Sequence, residues 1–138
     1  MYELFTSEIL FPGKNNADTV RLILEIKGKP SFKMLKKGIY TNLYFKENGL
    51  GNFVVFEKNI DNSLKIINEI SYEKENSKLL TNKLKQANLR KNSNNDKATD
   101  KDIYMLSDLI EKCLTLDPNK RISAVEGLLH PIFNSKIL

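Results

Sequence analysis

Few residues in this chain have the type and spacing for chemistry. Gly49-Leu50-Gly51 is one candidate, because a G-x-G pair lets backbone amides approach a phosphate closely. The third glycine of such a loop would fall at Val54. No later Asp precedes Phe-Gly, and no His precedes Arg-Asp or Tyr-Asp, so phosphoryl transfer has neither a Mg²⁺ ligand nor a base. No G-x-x-x-x-G-K occurs either. The glycine pair therefore reads as a hairpin edge or loop. His130 is the only histidine and cannot build a multi-His metal site. Beside Pro131 it reads as a structural residue at a helix end. Cys113 is the only cysteine, which excludes a disulfide framework and a Cys-based zinc site. Its neighbours Ile110, Leu114 and Leu116 predict a buried, inert thiol. Glu73 and Glu75 lie in polar sequence with no sign of a buried acid–base pair. No catalytic, cofactor-binding or metal-binding residue is assigned.

The elements that would position these residues are mostly helical. Tyr2, Phe5 and Ile9 have helical spacing and predict a helix over Met1–Glu8, with no capping residue ahead of it. Phe11-Pro12-Gly13 forces a turn. Asn15 or Asn16 caps the next helix, which carries Val20, Ile23, Leu24 and Lys27 on one face and stops at Gly28 and Pro30. Met34–Gly38 reads as one further turn. Asn52–Lys58 alternates and Ser63–Ile67 leans apolar, so the two predict a hairpin about Asn59–Asn62. Ser77–Arg90 predicts a helix with Leu80, Leu84 and Ala87 inward. Lys91–Lys97 has no apolar residue and reads as a mobile loop. Ile103–Leu116 is the strongest helix, with Ile103, Leu106, Ile110, Cys113 and Leu114 on one face, and Asp117-Pro118 stops it. Ser123-Ala124-Val125-Glu126 is a capping box for a last helix that runs to about Leu129.

Length and charge add limits. The chain has 138 residues, 41% of them hydrophobic, which argues against full disorder and would suit one domain. No apolar run has the length of a membrane span. The net charge of +5 is concentrated early. Lys14, Arg21, Lys27, Lys29, Lys33, Lys36, Lys37 and Lys46 face only Asp18 and Glu25 between residues 14 and 46. This segment reads as a solvated face or as a patch for phosphates or an acidic partner, with one Arg as its only bidentate reader.

The two ends of the chain carry a resemblance. Tyr2-Glu3-Leu4-Phe5-Thr6-Ser7-Glu8 with Ile9-Leu10-Phe11-Pro12-Gly13, and Leu114-x-x-Asp117-Pro118-x-Lys120-Arg121-Ile122-Ser123-Ala124 followed by His130-Pro131, resemble the second half of the C-terminal lobe of a eukaryotic protein kinase of the CMGC group. Lys27-Gly28-Lys29-Pro30, Lys33-Met34, Lys37-Gly38 and Asn52-Phe53 resemble the splicing kinases of that group, the pre-mRNA-processing factor four type. Ser7 departs from the family, which usually has glycine there.

The resemblance implies a mainly α partial C-lobe with a hairpin insert. The F-helix end and its turn would occupy 1–13, the G-helix region 14–38, the insert 39–102, and the H- and I-helices 103–138. It implies serine/threonine phosphorylation from ATP and Mg²⁺ by the complete enzyme, acting in the nucleus. The family's catalytic parts precede Met1 in order, so the expectation is a fragment that is inactive alone. Arg121 matches the family arginine that pairs with the glutamate closing the activation segment. Without that glutamate, Arg121 would turn to Glu126 or Asp117, or be solvated. The family docks proteins on the G-helix and insert, which makes Phe11, Lys14, Arg21 and Lys27 candidate docking residues. The expected partners are a protein substrate or the rest of the kinase domain, with no nucleic acid and no membrane. A stand-alone docking module and a basic nucleic-acid-binding domain are the competing readings. A partial lobe should also leave the apolar faces of Ile103–Leu116 and Val20–Ile26 short of cover, giving a marginally stable chain with exposed apolar patches.

Overall fold

The computed structural model describes residues 1–47, 53–58, 63–68, 77–91 and 97–134. The chain is mainly helical with one small sheet. It divides into two compact units, one of residues 1–10 with 76–138 and one of residues 11–75.

The first unit is all α. It holds α1 (Tyr2–Thr6), α5 (Ser77–Leu89), α6 (Asp100–Cys113), α7 (Ala124–Leu128) and α8 (Pro131–Asn134). Its core joins Tyr2, Leu80, Leu84, Ile103, Leu106 and Ile110, with Phe5, Leu10, Ala98, Leu114 and Ile132 packed around them. The predicted inward face of α5 is met, since Leu80, Leu84 and Ala87 are all buried. Thr81 and Ser107 hydroxyls meet at 2.7 Å and satisfy each other where α5 crosses α6. Asn88 closes the connection between these helices. Its Nδ2 donates to Ala98 O and its Oδ1 accepts from Ala98 N, both at 2.9 Å.

Helix α6 starts earlier than its apolar pattern. Thr99 caps it in a box with Asp102, so the polar residues ahead of Ile103 belong to the first turn. Along its apolar face Ile103, Leu106 and Ile110 are buried, while Leu114 is half-buried and Cys113 exposed. Cys113 corrects the sequence reading, because its thiol is free and exposed at the last residue of the helix. Exposed apolar groups include Val125, Leu128 and Leu129 at α7, about 70% exposed (70%, 70% and 71%). Helix α1 is shorter than predicted. It stops at Ser7, which adopts the left-handed conformation (φ 59°, ψ 17°) and donates its amide to Glu3 O at 2.7 Å. Ile9 therefore lies beyond the helix and is exposed.

The second unit packs α2 (Asn16–Lys27), α3 (Phe32–Lys37) and α4 (Thr41–Tyr44) with an antiparallel sheet of β1 (Phe45–Glu47), β2 (Phe53–Lys58) and β3 (Leu64–Asn68), in the order β1-β2-β3. The predicted hairpin is the β2–β3 pair, with Phe56 opposite Ile66 and a register shift at Val55/Phe56. Its turn at 59–62 and the glycine pair at 49–51 lie outside the described residues, as do residues 92–96 of the predicted loop. Strand β1 and helix α4 are additions. Asn15 Oδ1 caps α2 by accepting from Asp18 N at 2.9 Å. Gly28, at φ 73°, ends the helix with its amide on Leu24 O. Adjacent strand residues Val55 and Phe56 are both buried, so both faces of β2 are covered. Among the described residues no helix is long and apolar enough to cross a membrane.

Candidate functional site

The site grows from the loop between α6 and α7. Asp117 folds it into a tight turn: its Oδ1 accepts from Asn119 N at 3.0 Å, and its carbonyl accepts from Lys120 N at 3.0 Å. That turn brings Arg121 back over the end of α6. Arg121 Nε donates to Thr115 O at 2.8 Å and Nη2 to Leu116 O at 3.3 Å. Two residues on, Ser123 opens α7. Its amide donates to Glu126 Oε2 at 2.8 Å, and its Oγ accepts from Glu126 N at 3.2 Å. The predicted capping box is therefore present in both directions.

These bonds settle where Arg121 goes. Glu126 is committed to the cap and Asp117 to the turn. Arg121 takes neither acid; two main-chain carbonyls hold it and its side is exposed. Among the described residues Arg121 makes no ion pair. It lines an open cleft of about 490 Å³ with Lys112, Lys120, Glu126, Leu129 and His130. Lys120 adds a second cation beside it, next to it in sequence.

The wall behind the cleft is a chain of three charged or polar groups. Asp108 on α6 binds Lys112 at 2.6 Å and His130 Nε2 at 2.8 Å. His130 is buried, and its Nδ1 accepts from Ile132 N at 3.3 Å, which fixes Nε2 as the protonated nitrogen. The bond to Lys112, and then the one to His130, hold the Asp108 carboxyl below the usual carboxylate range. Hydrogen bonds from the Ser123 hydroxyl and then its amide lower Glu126 in the same way. The arrangement presents a fixed guanidinium and a lysine to any arriving anion, with the Asp108, Asp117 and Glu126 carboxylates hydrogen-bonded to other groups. Sequence spacing carries the Asp108–Lys112 pair as an i,i+4 match. Nothing local announces the Asp108–His130 contact, which spans 22 residues.

The candidate docking residues belong to the other unit and lie along one stretch. Phe11 is half-buried, and Lys14 is exposed with its amide on Asp18 Oδ2. Arg21 turns along its own helix to Asp18 (Nη2–Oδ1 2.7 Å) and to Glu25. Lys27 lies in the last turn of α2. Lys14 and Arg21 thus meet at Asp18, one through its amide and the other through its guanidinium. Among the described residues no group of three or more His, Cys, Asp or Glu is placed to hold a metal.

No protein-family model matches the chain. Curated proteins do. A serine/threonine-protein kinase prpf4B from Dictyostelium discoideum is 39% identical over 128 residues, covering 93% of this chain and 15% of that protein. A serine/threonine-protein kinase prp4 from Schizosaccharomyces pombe is 33% identical over 139 residues, covering 99% of this chain and 27% of that protein. Mitogen-activated protein kinase 10 of Arabidopsis thaliana is 29% identical over 96% of this chain and 24% of its own length. The chain thus spans 15% of the length of the prpf4B kinase and 27% of that of the prp4 kinase. Over nearly its whole length the chain is homologous to Prp4/PRPF4B splicing kinases and to other CMGC protein kinases, which fits a fragment of a CMGC kinase.

Proposed function

We propose that the chain serves as the C-terminal part of the C-lobe of a CMGC serine/threonine kinase of the splicing type, working in the nucleus. ATP-dependent phosphorylation of proteins belongs to the complete enzyme, and residues 1–138 alone transfer no phosphate. The role of this segment is to hold the rest of the lobe. Arg121 carries the reading: two carbonyls pin it, it faces a cationic cleft, and both neighbouring acids are committed elsewhere. A guanidinium so placed is ready for a bidentate carboxylate. By resemblance that carboxylate is the glutamate closing the activation segment. The exposed apolar side chains of α7 support the same reading, since a lobe core would cover them.

The test is a chimera. Residues 1–138 replace the matching segment of the Schizosaccharomyces pombe kinase. Phosphoryl transfer to a generic acceptor is expected from the chimera and not from the isolated chain. Arg121→Ala should lower the activity of the chimera. Transfer by the chain alone, or a folded chimera without activity, overturns the proposal.

A further inference from the structure

We propose that Ser123 is a phosphorylation site for a basophilic serine/threonine kinase, and that its phosphate closes the Arg121 cleft. The acceptor stands in Lys120-Arg121-Ile122-Ser123, with cations two and three residues ahead of it. A kinase with an acidic substrate groove selects acceptors by cations at such offsets. One other serine follows an adjacent pair of cations in this way, Ser93 after Arg90-Lys91, and it lies outside the described residues. Local structure leaves Ser123 open to modification. Lys120, Arg121, Ser123 and Ala124 are all exposed. The backbone at Ser123 is extended (φ −74°, ψ 164°). The five residues of α7 that follow include no buried side chain, so little packing opposes drawing this segment into a groove.

The modification moves the γ-phosphoryl group of ATP to Ser123 Oγ. A new O–P bond forms there, the bond from the γ-phosphorus to its bridging oxygen breaks, ADP leaves, and the hydroxyl proton passes to the modifying kinase's base. Before the reaction that hydroxyl donates to Glu126 Oε2 at 2.7 Å. Afterwards no proton remains to donate, and two anions stand side by side. Glu126 lines the cleft together with Arg121 and Lys120. Arg121 uses Nε and Nη2 for its two carbonyls, which leaves Nη1 for an arriving oxygen. Among the described residues neither Arg121 nor Lys120 makes an ion pair. The phosphate therefore repels Glu126 and turns to Arg121 and Lys120. The guanidinium is then closed to any other carboxylate. That last consequence, a chain kept from seating in its lobe, rests on the role proposed for Arg121 above; the modification and the capture of Arg121 do not.

The experiment treats the whole 1–138 chain with ATP, Mg²⁺ and the catalytic subunit of cyclic-AMP-dependent protein kinase. Tandem mass spectrometry should find phosphate on Ser123, both in the parent and in Ser93→Ala. Arg121→Gln should slow its incorporation by about tenfold. Phosphorus NMR then reads the capture. The second ionisation of a phosphoserine, ordinarily near pH ~6, should fall by about half a pH unit in the phosphorylated chain. Arg121→Gln with Lys120→Gln, phosphorylated to completion, should restore the ordinary value. Lys120→Gln alone changes one exposed side chain and should restore part of it, which keeps the test sound if the double variant fails to fold. Phosphate on Ser93 alone, no phosphate at all, or an ionisation that the folded variants leave unchanged overturns the proposal. None of these measurements uses the chimera, so the site at Ser123 and the role of the segment in a lobe stand or fall separately.

Discussion

Asp108 and His130 meet at 2.8 Å, and through them the last short helix is fastened to the side of α6. One partner is largely buried and the other half-exposed, with side-chain exposures of 3% and 52%. Removing the acid strands a buried N–H. Asp108→Ala should therefore cost about 1–3 kcal/mol in urea unfolding. His130→Gln, which can still donate a hydrogen bond, should cost less. Equal midpoints for Asp108→Ala and the parent would show that the contact contributes nothing.

Ser7 sits at φ 59°, where a Cβ crowds the following carbonyl. Glycine removes that strain. Ser7→Gly should stabilise the chain by about 0.5–1 kcal/mol, measured as a rise in the urea midpoint. The family's usual glycine thus has a physical reason: the residue must end α1 in the left-handed region. A fall in midpoint would mean the Ser7 side chain contributes more than its strain costs.

Asn88 makes both of its hydrogen bonds to a single residue, Ala98. Asn88→Ala leaves the Ala98 peptide without its partner and should cost about 2 kcal/mol. Amide exchange at Ala98 should accelerate in the same variant. Asn88→Asp keeps the acceptor and loses the donor, so its Ala98 amide should stay protected.

Several carboxylates are held below their ordinary range by hydrogen bonds. Asp102 is lowered by the Thr99 hydroxyl and then its amide, Glu126 by Ser123, and Asp108 by Lys112 and then His130. A lowered folded pKa means that the unfolded chain binds protons first as the pH falls. The stability these groups contribute is complete above the unfolded carboxylate range, about pH 4, and is lost as pH falls through the lowered folded values. Unfolding midpoints should drop across that window. Asp102→Asn with Asp108→Asn should flatten the drop, and an unchanged slope in that double variant would refute the assignment.

Leu128 is 70% exposed on α7. In the isolated chain Leu128→Gln should raise solubility and leave the unfolding midpoint within about 0.5 kcal/mol of the parent. In the kinase chimera the same change should destabilise, because the side chain would then be covered. Identical effects in both settings would argue against a covered α7.

The sequence was most legible where burial follows a local period. Leu80, Leu84 and Ala87 on α5 lie at helical spacing, and all three are buried. Ser123 with Glu126 announced its capping box because both partners lie within one turn. Cys113 misled for a related reason: the period puts it on the apolar face, yet the helix ends there and leaves it exposed. Strand β1 is three residues long, too short to display alternation. The start of α6 was hidden because Asp100, Lys101 and Asp102 carry no apolar signal, and only Thr99 with Asp102 marks it. Arg121 was legible as a residue, but its two carbonyl partners depend on a turn whose path no spacing rule supplies.

That pair of carbonyls has a consequence for any carboxylate that arrives at the cleft. A free arginine side chain surrenders about 2 kcal/mol of rotamer entropy when it is fixed. With Nε and Nη2 already tied to Thr115 and Leu116, most of that loss is incurred during folding rather than during association. The incoming acid meets a rigid fork, and the rate of its departure, more than the rate of its arrival, would register a change at either carbonyl.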